Sequence, residues 1–257
     1  MRRRTLLAAG CAMLAAPRPI RAEDPGATIG GGEEEVDLLL VLAADVSHSM
    51  QHGELVMQRE GYVAALRDRQ VLEAIGSGPT GAIGLTYFEW SGAGDHAVLL
   101  PWTRLSGAAD AERVAALLAG APLRSGTQTS ISSALAAARR LLGAAPFAGA
   151  RRVVDVSGDG ENNHGEPVED QRDQAVAEGV TINGLPIVRH GARAAASGEG
   201  RETGLEEHYR GQVIGGAGAF LLPAYGFDAF AGAVRRKLVL EIAAGGDASP
   251  AGPVMRA

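Results

Sequence analysis

A carboxylate and two hydroxyls stand two residues apart at Asp45, Ser47 and Ser49. Side chains at positions i, i+2 and i+4 can converge in a tight loop and present hard oxygen atoms, the ligands that Mg²⁺ and Mn²⁺ prefer. The same residues could instead form a cluster of caps that opens the next helix. By itself the pattern indicates a candidate divalent-cation site of modest specificity.

Two further loops carry oxygen-bearing side chains later in the chain. Residues 157–160 (SGDG) place Asp159 between glycines, and residues 126–130 (GTQTS) place hydroxyls ahead of an Ala/Leu-rich segment. Each loop alone is also typical of a turn or a helix cap. Three such loops in one chain are much harder to attribute to chance, so we expect them to form one site.

Apolar segments predict the scaffold that must position these loops. Residues 38–44 (LLLVLAA) show no alternation, as expected for a parallel strand that is buried on both faces. Further strands are predicted at 82–90, 97–102, 151–157, 180–188 and 219–223. Helices are predicted at 51–75, 110–118, 131–142, 168–178 and 227–242.

The order of these elements predicts an α/β fold with a doubly wound, mostly parallel open sheet and one antiparallel edge hairpin strand. The hairpin follows from residues 91–95 (SGAGD), which separate two apolar runs. In open α/β sheets, ligands bind beyond the carboxyl ends of the strands. Asp45 and Asp159 each follow a predicted strand, so we expect them to meet at that edge.

Taken together, the three loops resemble the metal-ion-dependent adhesion site (MIDAS) of von Willebrand factor type A (vWA) domains. The matching residues are Asp45, Ser47 and Ser49 in DxSxS, Thr129 in TSISSAL and Asp159 in SGDG. In the middle motif of that family, Ala-Leu follows the threonine by five residues, which selects Thr129 over Thr127. The resemblance spans about residues 36–242, nearly the whole of the expected mature chain.

Several longer phrases are similar to a narrower family, the bacterial domain-of-unknown-function family numbered 1194. The phrases are TYFEWSGAGD, RRVVDVSGDGENN, TINGLPI and VIGGAGAF. That family is regarded as a secreted branch of the vWA fold. The resemblance therefore implies a three-layer, Rossmann-like domain, and it implies no particular enzymatic activity.

The vWA resemblance implies how the site would work. Ser47, Ser49 and Thr129 would contact Mg²⁺ (or Mn²⁺) through their hydroxyls, and Asp45 and Asp159 would act directly or through water. With few protein carboxylates around it, the ion would keep positive character and an open position. A carboxylate from a partner protein or other ligand would fill that position, so the implied function is metal-dependent binding without catalysis.

A metal-assisted hydrolase is one alternative function for the same strand-end site, and a structural module whose site is vestigial is another. The hydrolase would use Asp45 and Asp159 together with an acid/base from His48, His164 or Glu89. The sequence contains no H-E-x-x-H zinc spacing, no G-x-S-x-G elbow around Ser157 and no Walker loop. These absences favour the binding function over zinc hydrolysis, serine hydrolysis and ATP hydrolysis.

Residues 1–22 are typical of an export signal. Three arginines at positions 2–4 precede an apolar run at 5–16, and a small residue precedes Glu23. The sequence RRTLL resembles a twin-arginine signal, and an ordinary secretory signal remains the alternative. We expect a periplasmic or secreted protein. Twelve apolar residues are too few to cross a bilayer, which needs about 20, and no other apolar run reaches the 18 that suggest a transmembrane helix.

Removal of this signal changes the composition of the chain. The single cysteine, Cys11, leaves with it, unless it is lipidated, for which the residue three places earlier (Ala8) is unfavourable. The signal carries five of the 24 basic residues and none of the 30 acidic ones, so the formal net charge falls from −6 to −11. Such an acidic domain is not expected to bind nucleic acid.

The remaining chain divides into a leader at 23–35, one vWA-like domain at 36–243 and a tail at 244–257, with an insertion at 189–200. Asp155 lies inside a predicted strand, where an unpaired charge is costly, so we expect a structural carboxylate bonded to a neighbouring loop, with a role in tuning the site as the alternative. Glu89, Trp90 and Trp102 are expected to pack at the sheet edge, and a rim that faces the ligand is the alternative. The sequence does not indicate the partner, the process or the oligomeric state.

Overall fold

The computed structural model describes residues 34–189 and 203–244. The predicted signal peptide, the leader up to residue 33, most of the insertion and the tail beyond Ala244 lie outside the described residues. Glu34 and Glu35, which the sequence assigned to the leader, belong to a strand instead. The sequence does not predict this strand, because a segment of three residues is too short to show a hydrophobic period.

Eight strands are present in the described residues. They are β1 (Glu34–Val36), β2 (Leu38–Asp45), β3 (Ile83–Trp90), β4 (His96–Leu105), β5 (Phe147–Gly149), β6 (Arg152–Gly158), β7 (Thr181–Val188) and β8 (Ala224–Tyr225). Six of them form one sheet in the order β4-β3-β2-β6-β7-β8, and β1 pairs with β5 in a separate parallel pair. Only the edge strand β4 runs antiparallel in the main sheet, which confirms the predicted fold class.

Helices cover both faces of this sheet. They are α1 (His52–Arg67), α2 (Arg69–Gly76), α3 (Ala108–Gly120), α4 (Ile131–Gly143), α5 (Val168–Ala177), α6 (Gly204–His208) and α7 (Phe230–Ala243). A π-helical turn, Tyr209–Val213, follows α6 directly. Helices α1, α2, α3 and α7 pack together on one face, while α4, α5 and the π-helical turn cover the other. None of the helices in the described ranges is both long and apolar enough to cross a membrane.

Strand β2 is the centre of the core, and its position explains its unbroken apolar sequence. Leu38, Leu40 and Leu42 point into the cluster beneath α1 and α7, whereas Leu39 and Val41 point into the cluster beneath α4. Successive side chains of a strand alternate between faces. Because helices cover both faces, both sets must be apolar, and all five are at most 4% exposed.

Two predicted elements differ from the structure. The helix predicted at 51–75 is two helices, because Asp68 adopts an extended conformation and its side chain accepts a hydrogen bond from the amide of Gln70, capping α2. The last predicted strand, 219–223, lies slightly later, at β8. Within the predicted range, Leu221 forms only an isolated bridge to Gly184.

Asp155 is a buried structural carboxylate, as expected, but its partner is on a helix and not in a loop. The Lys237 Nζ of α7 lies 2.7 Å from Asp155 Oδ1 and 2.5 Å from Glu241 Oε1. Asn183 Nδ2 donates to the same Glu241 oxygen at 2.8 Å. Lys237 is the single lysine of the chain, and it neutralises part of the negative charge of two carboxylates inside the core.

The order of the strands decides where a ligand site can form. From β2 the chain proceeds outward through β3 to β4, and from β6 it proceeds in the opposite direction through β7 to β8. β2 and β6 are therefore parallel neighbours whose following loops diverge, which is the arrangement of a topological switch point. Ala44, just before the end of β2, lies opposite Ser157 of β6.

Candidate metal centre

The loop after β2 is folded by its own polar groups. Asp45 is fully buried, and its Oδ1 accepts a hydrogen bond from the amide of Ser47 at 2.7 Å. The amide of Met50 donates to the carbonyl of Ser47 at 3.1 Å, which closes the next turn. The hydroxyls of Ser47 and Ser49 lie 3.0 Å apart. The DxSxS residues therefore converge, as their spacing predicts.

The loop after β6 meets this first loop directly. Ser49 Oγ donates a hydrogen bond to Asp159 Oδ1 at 2.5 Å, across 110 residues of sequence. The Asp159 side chain is fully buried. The two carboxylates that were expected at neighbouring strand ends thus belong to one cluster with both serines.

Thr129 comes from the third loop, which precedes α4. Its amide donates to Asn163 Oδ1 at 2.9 Å, and its carbonyl accepts from the amides of Asn163 and His164 at 2.9 and 3.1 Å. Its Oγ1 lies 3.5 Å from the point that a Cβ on Gly160 would occupy, next to Asp159. The structure therefore fixes Thr129, 4% exposed, against the Asp159 loop.

Two glycines allow the loops to approach one another. A Cβ at Gly158 would lie 2.9 Å from both Asp45 Oδ2 and Tyr209 Oη, and one at Gly126 would lie 1.9 Å from Ser91 Oγ. A side chain at either position would displace its neighbours. The Gly126 amide also donates to the carbonyl of Val46 at 2.7 Å, which ties its loop to the loop after β2.

The electrostatics of the cluster suit a bound cation. Asp45 Oδ2 is buried without a hydrogen-bond partner among the described residues. Burial raises the pKa of Asp45 to about 7, the charge of Asp159 adds to this rise, and the amide of Ser47 opposes it. A buried carboxylate oxygen of this kind is costly unless a positive group is nearby. The donor set of two carboxylates and three hydroxyls therefore fits a hard divalent ion.

The cluster does not have the ligands of a softer site. Within residues 34–189 and 203–244, no group of three or more His, Cys, Asp or Glu side chains is placed to hold a metal ion. A cation in this cluster would depend on hydroxyls, water and groups from a ligand to complete its coordination.

Sequence reasoning missed Arg189, a charged residue that contacts the cluster, and Glu54, which binds Arg189. Arg189, assigned to the insertion, follows β7 directly, and its Nη2 donates to Asp159 Oδ2 at 2.7 Å. Its Nη1 donates to Glu54 Oε1 at 2.6 Å. The position of Arg189 at the end of a central strand, where ligands bind in such sheets, was the available signal.

Two of the acid/base groups of the hydrolase alternative are engaged elsewhere. Arg59 Nε donates to Glu89 Oε1 at 3.0 Å, and this ion pair is buried. His164 Nδ1 accepts a hydrogen bond from the amide of Ala93 at 3.0 Å. Glu89 and His164 therefore have structural contacts that an acid/base role would disrupt.

Trp102, expected to pack at the sheet edge, is partly buried, and its Nε1 donates to the carbonyl of Leu141.

A comparison with protein families shows which family this chain belongs to. The family described as “Protein of unknown function (DUF1194)” matches residues 35–246. The chain belongs to this family. A search of curated proteins finds no match. The family assignment confirms the resemblance that the longer phrases indicated, and the matched range contains all three loops of the cluster.

Solved structures show that this DUF1194 chain has the vWA fold. Proximal thread matrix protein 1 from the mussel byssus, “with zinc occupied MIDAS motif”, is 19% identical at a TM-score of 0.59, over 82% of this chain and 49% of that one. A von Willebrand factor type A protein from Catenulispora acidiphila is 14% identical at 0.55, over 82% and 43%. BatB from Bacteroides thetaiotaomicron is 18% identical at 0.52, over 80% and 99%. The chain spans about half the length of the mussel protein.

Proposed function

We propose that this chain is an exported vWA domain that binds a divalent cation and, through it, an acidic group of a protein or other ligand, without catalysis. The proposed ligands of the cation are Asp45, Ser47, Ser49, Thr129 and Asp159. The observation that carries the proposal is the hydrogen-bonded group of Ser47, Ser49 and Asp159 next to Asp45, whose Oδ2 is buried without a partner among the described residues. Mg²⁺ or Mn²⁺ suits such hard donors best.

Each side chain has a distinct part in this proposal. Asp45 supplies buried negative charge, Asp159 supplies an oxygen that Ser49 orients, and the serine and threonine hydroxyls add ligands without adding charge. A bound cation would supply an open, positively charged position for a carboxylate. The mussel structure with zinc in its MIDAS motif supports a divalent ion in this fold.

The acidic character of the chain supports a cation-mediated contact. After removal of the proposed signal at residues 1–22, the formal net charge is −11, which repels an acidic partner. A bound divalent ion supplies local attraction where the two surfaces meet. We therefore propose that the domain acts in the periplasm or beyond, where it holds an acidic ligand only when the ion is present.

Calorimetry tests the site. We expect the mature protein to bind Mg²⁺ or Mn²⁺ with one-site stoichiometry, and Asp45→Ala and Thr129→Ala to reduce the affinity by about tenfold or more, since each removes a direct or water-mediated ligand. Zn²⁺ is titrated in parallel. Thr103→Ala is the matched control, because Thr103 lies in the edge strand β4 and its hydroxyl donates to the carbonyl of Pro101.

Two results would contradict the proposal. One is metal binding that neither site variant changes, which would place the ion elsewhere. The other is metal-dependent turnover of phosphoester, ester or peptide substrates that Asp159→Ala abolishes, which would favour the hydrolase. For the ligand itself, a pull-down from periplasmic extract with Mg²⁺ or with chelator identifies proteins whose capture depends on the ion.

A further inference from the structure

We propose that Arg189 is an internal cation of the metal centre, which competes with the divalent ion for the charge of Asp159 and thereby lowers the affinity of the site for metal. The inference rests on the proposed function and adds a residue that sets the strength of metal binding.

The guanidinium of Arg189 is held by several acceptors. Its Nη1 and Nη2 donate to the two oxygens of Glu54, at 2.6 and 2.9 Å. Nη2 also lies 2.7 Å from Asp159 Oδ2 and 2.6 Å from the carbonyl oxygen of Ser49. The guanidinium carbon lies 5.7 Å from the centre of the Phe227 ring. A paired arginine fork with this many contacts is held in one orientation.

The two oxygens of Asp159 are divided between the metal cluster and Arg189. Oδ1 accepts from the Ser49 hydroxyl, whereas Oδ2 accepts from Arg189. The Asp159 side chain is fully buried, and the Arg189 side chain is 40% exposed. The positive charge thus lies between the buried carboxylate and solvent, where it neutralises Asp159 before any ion binds.

This placement has a definite electrostatic consequence. A divalent ion at the cluster must share the charge of Asp159 with Arg189, and two cations close together repel each other. Glu54 offsets part of this repulsion, because its two oxygens accept from both Nη1 and Nη2 of the guanidinium. The acidic group of a ligand is attracted by both cations, so the arrangement favours metal binding together with an acid over metal binding alone.

A purely structural role for Arg189 predicts the opposite effect on metal binding. If the guanidinium served only to hold Asp159 in place, its removal would misplace a ligand and weaken metal binding. If Arg189 competes for charge, a neutral replacement strengthens metal binding. The sign of the change in affinity separates the two roles.

Calorimetric titration with Mn²⁺ measures that sign. We expect Arg189→Gln to bind Mn²⁺ about tenfold more tightly than the wild type, and Arg189→Lys, which keeps the charge, to stay within about twofold of the wild type. Arg69→Gln is the matched control, since Arg69 forms an exposed ion pair with Glu73 on α2. Thermal unfolding in chelator establishes that each variant is folded. Arg189→Met, which keeps an apolar stem beside Phe227, replaces the Gln variant if that one does not fold.

The possible outcomes are distinct. Tighter binding by a neutral variant, including binding that appears only in that variant, supports the competition. Equal or weaker binding by the neutral variants, in a protein whose wild type binds Mn²⁺, overturns this inference and leaves the proposed function intact. If neither the wild type nor any variant binds Mn²⁺, Mg²⁺ or Zn²⁺, both the inference and the proposed function are wrong.

Discussion

Gly158 packs so closely against Asp45 that the position has no room for a side chain. It ends β6, and a Cβ there would lie 2.9 Å from Asp45 Oδ2 and 3.1 Å from Asp45 Cβ. Gly160, two residues later in the same loop, has room for a side chain, because its nearest neighbour atom is Thr129 Oγ1 at 3.5 Å. Neither glycine has a positive φ, so the difference between them is one of space alone.

We therefore expect Gly158→Ala to displace Asp45, to weaken Mn²⁺ binding by about tenfold and to destabilise the fold by about 1–3 kcal/mol. Gly160→Ala is the matched control and should leave both quantities near their wild-type values. Calorimetry gives the affinity, and urea unfolding in chelator gives the stability. Equal behaviour of the two variants would show that Asp45 tolerates displacement or lies outside the metal centre.

Helix α7 packs against the sheet and carries two buried charged residues, Lys237 and Glu241. Lys237 and Glu241 lie one turn apart on this helix and face Asp155 of β6 and Asn183 of β7. Burial raises the pKa of Glu241 to about 7, the charge of Asp155 raises it further, and Lys237 opposes the rise. One lysine thus lies beside two carboxylates, and all three side chains are buried.

The raised pKa of Glu241 makes stability depend on pH. Between its ordinary value of 4.5 and about 7, the folded state keeps a proton that the unfolded state loses. The free energy of unfolding therefore falls as the pH rises through this window, by up to about 3 kcal/mol from this group. Urea unfolding at pH 5, 6, 7 and 8 should show this fall, and Glu241→Gln should reduce its slope.

Glu73→Gln provides the comparison for this pH series, because Glu73 is an exposed partner of Arg69 on α2. Its pH profile should match that of the wild type. A Glu241→Gln profile that also matches the wild type would mean that Glu241 does not hold the proton in the folded state.

The net charge of the whole chain depends on whether the proposed signal is removed. The chain has 30 acidic and 24 basic residues, and five arginines of the basic set lie in the segment proposed as a signal. Cleavage of that segment would lower the formal net charge from −6 to −11. A contact with an acidic partner through a bound cation suits a molecule of this charge.

For export, we expect mature protein from a bacterial periplasm to begin at Glu23, which N-terminal sequencing would detect. The double change Arg3→Lys with Arg4→Lys should retain the precursor in the cytoplasm, since twin-arginine signals depend on the arginine pair. Arg18→Lys serves as the control. Unchanged periplasmic yield of the double variant would indicate the general secretory route instead.

Local patterns in the sequence predicted most of the fold. The unbroken apolar run of β2, the hairpin before β4 and the spacing of helices predicted an open α/β sheet, and the structure confirms it. The pattern did not locate β1, β5 or α6, which are at most five residues long. It also missed the break at Asp68, because apolar spacing continues across it while a single side-chain hydrogen bond starts a new helix.

The sequence by itself determined which residues could form the cluster, because Asp45, Ser47 and Ser49 lie in one loop and their spacing alone brings them together. Only the tertiary structure decided which charged side chains lie next to one another. Arg189 reaches Asp159 and Glu54, and Lys237 reaches Asp155, across distances of 30 to 135 residues along the chain. Local periodicity carries no information about such pairs. The contacts of Arg189 form because the order of the strands brings the ends of β2, β6 and β7 together, whereas the contact of Lys237 forms because α7 packs against the face of the sheet.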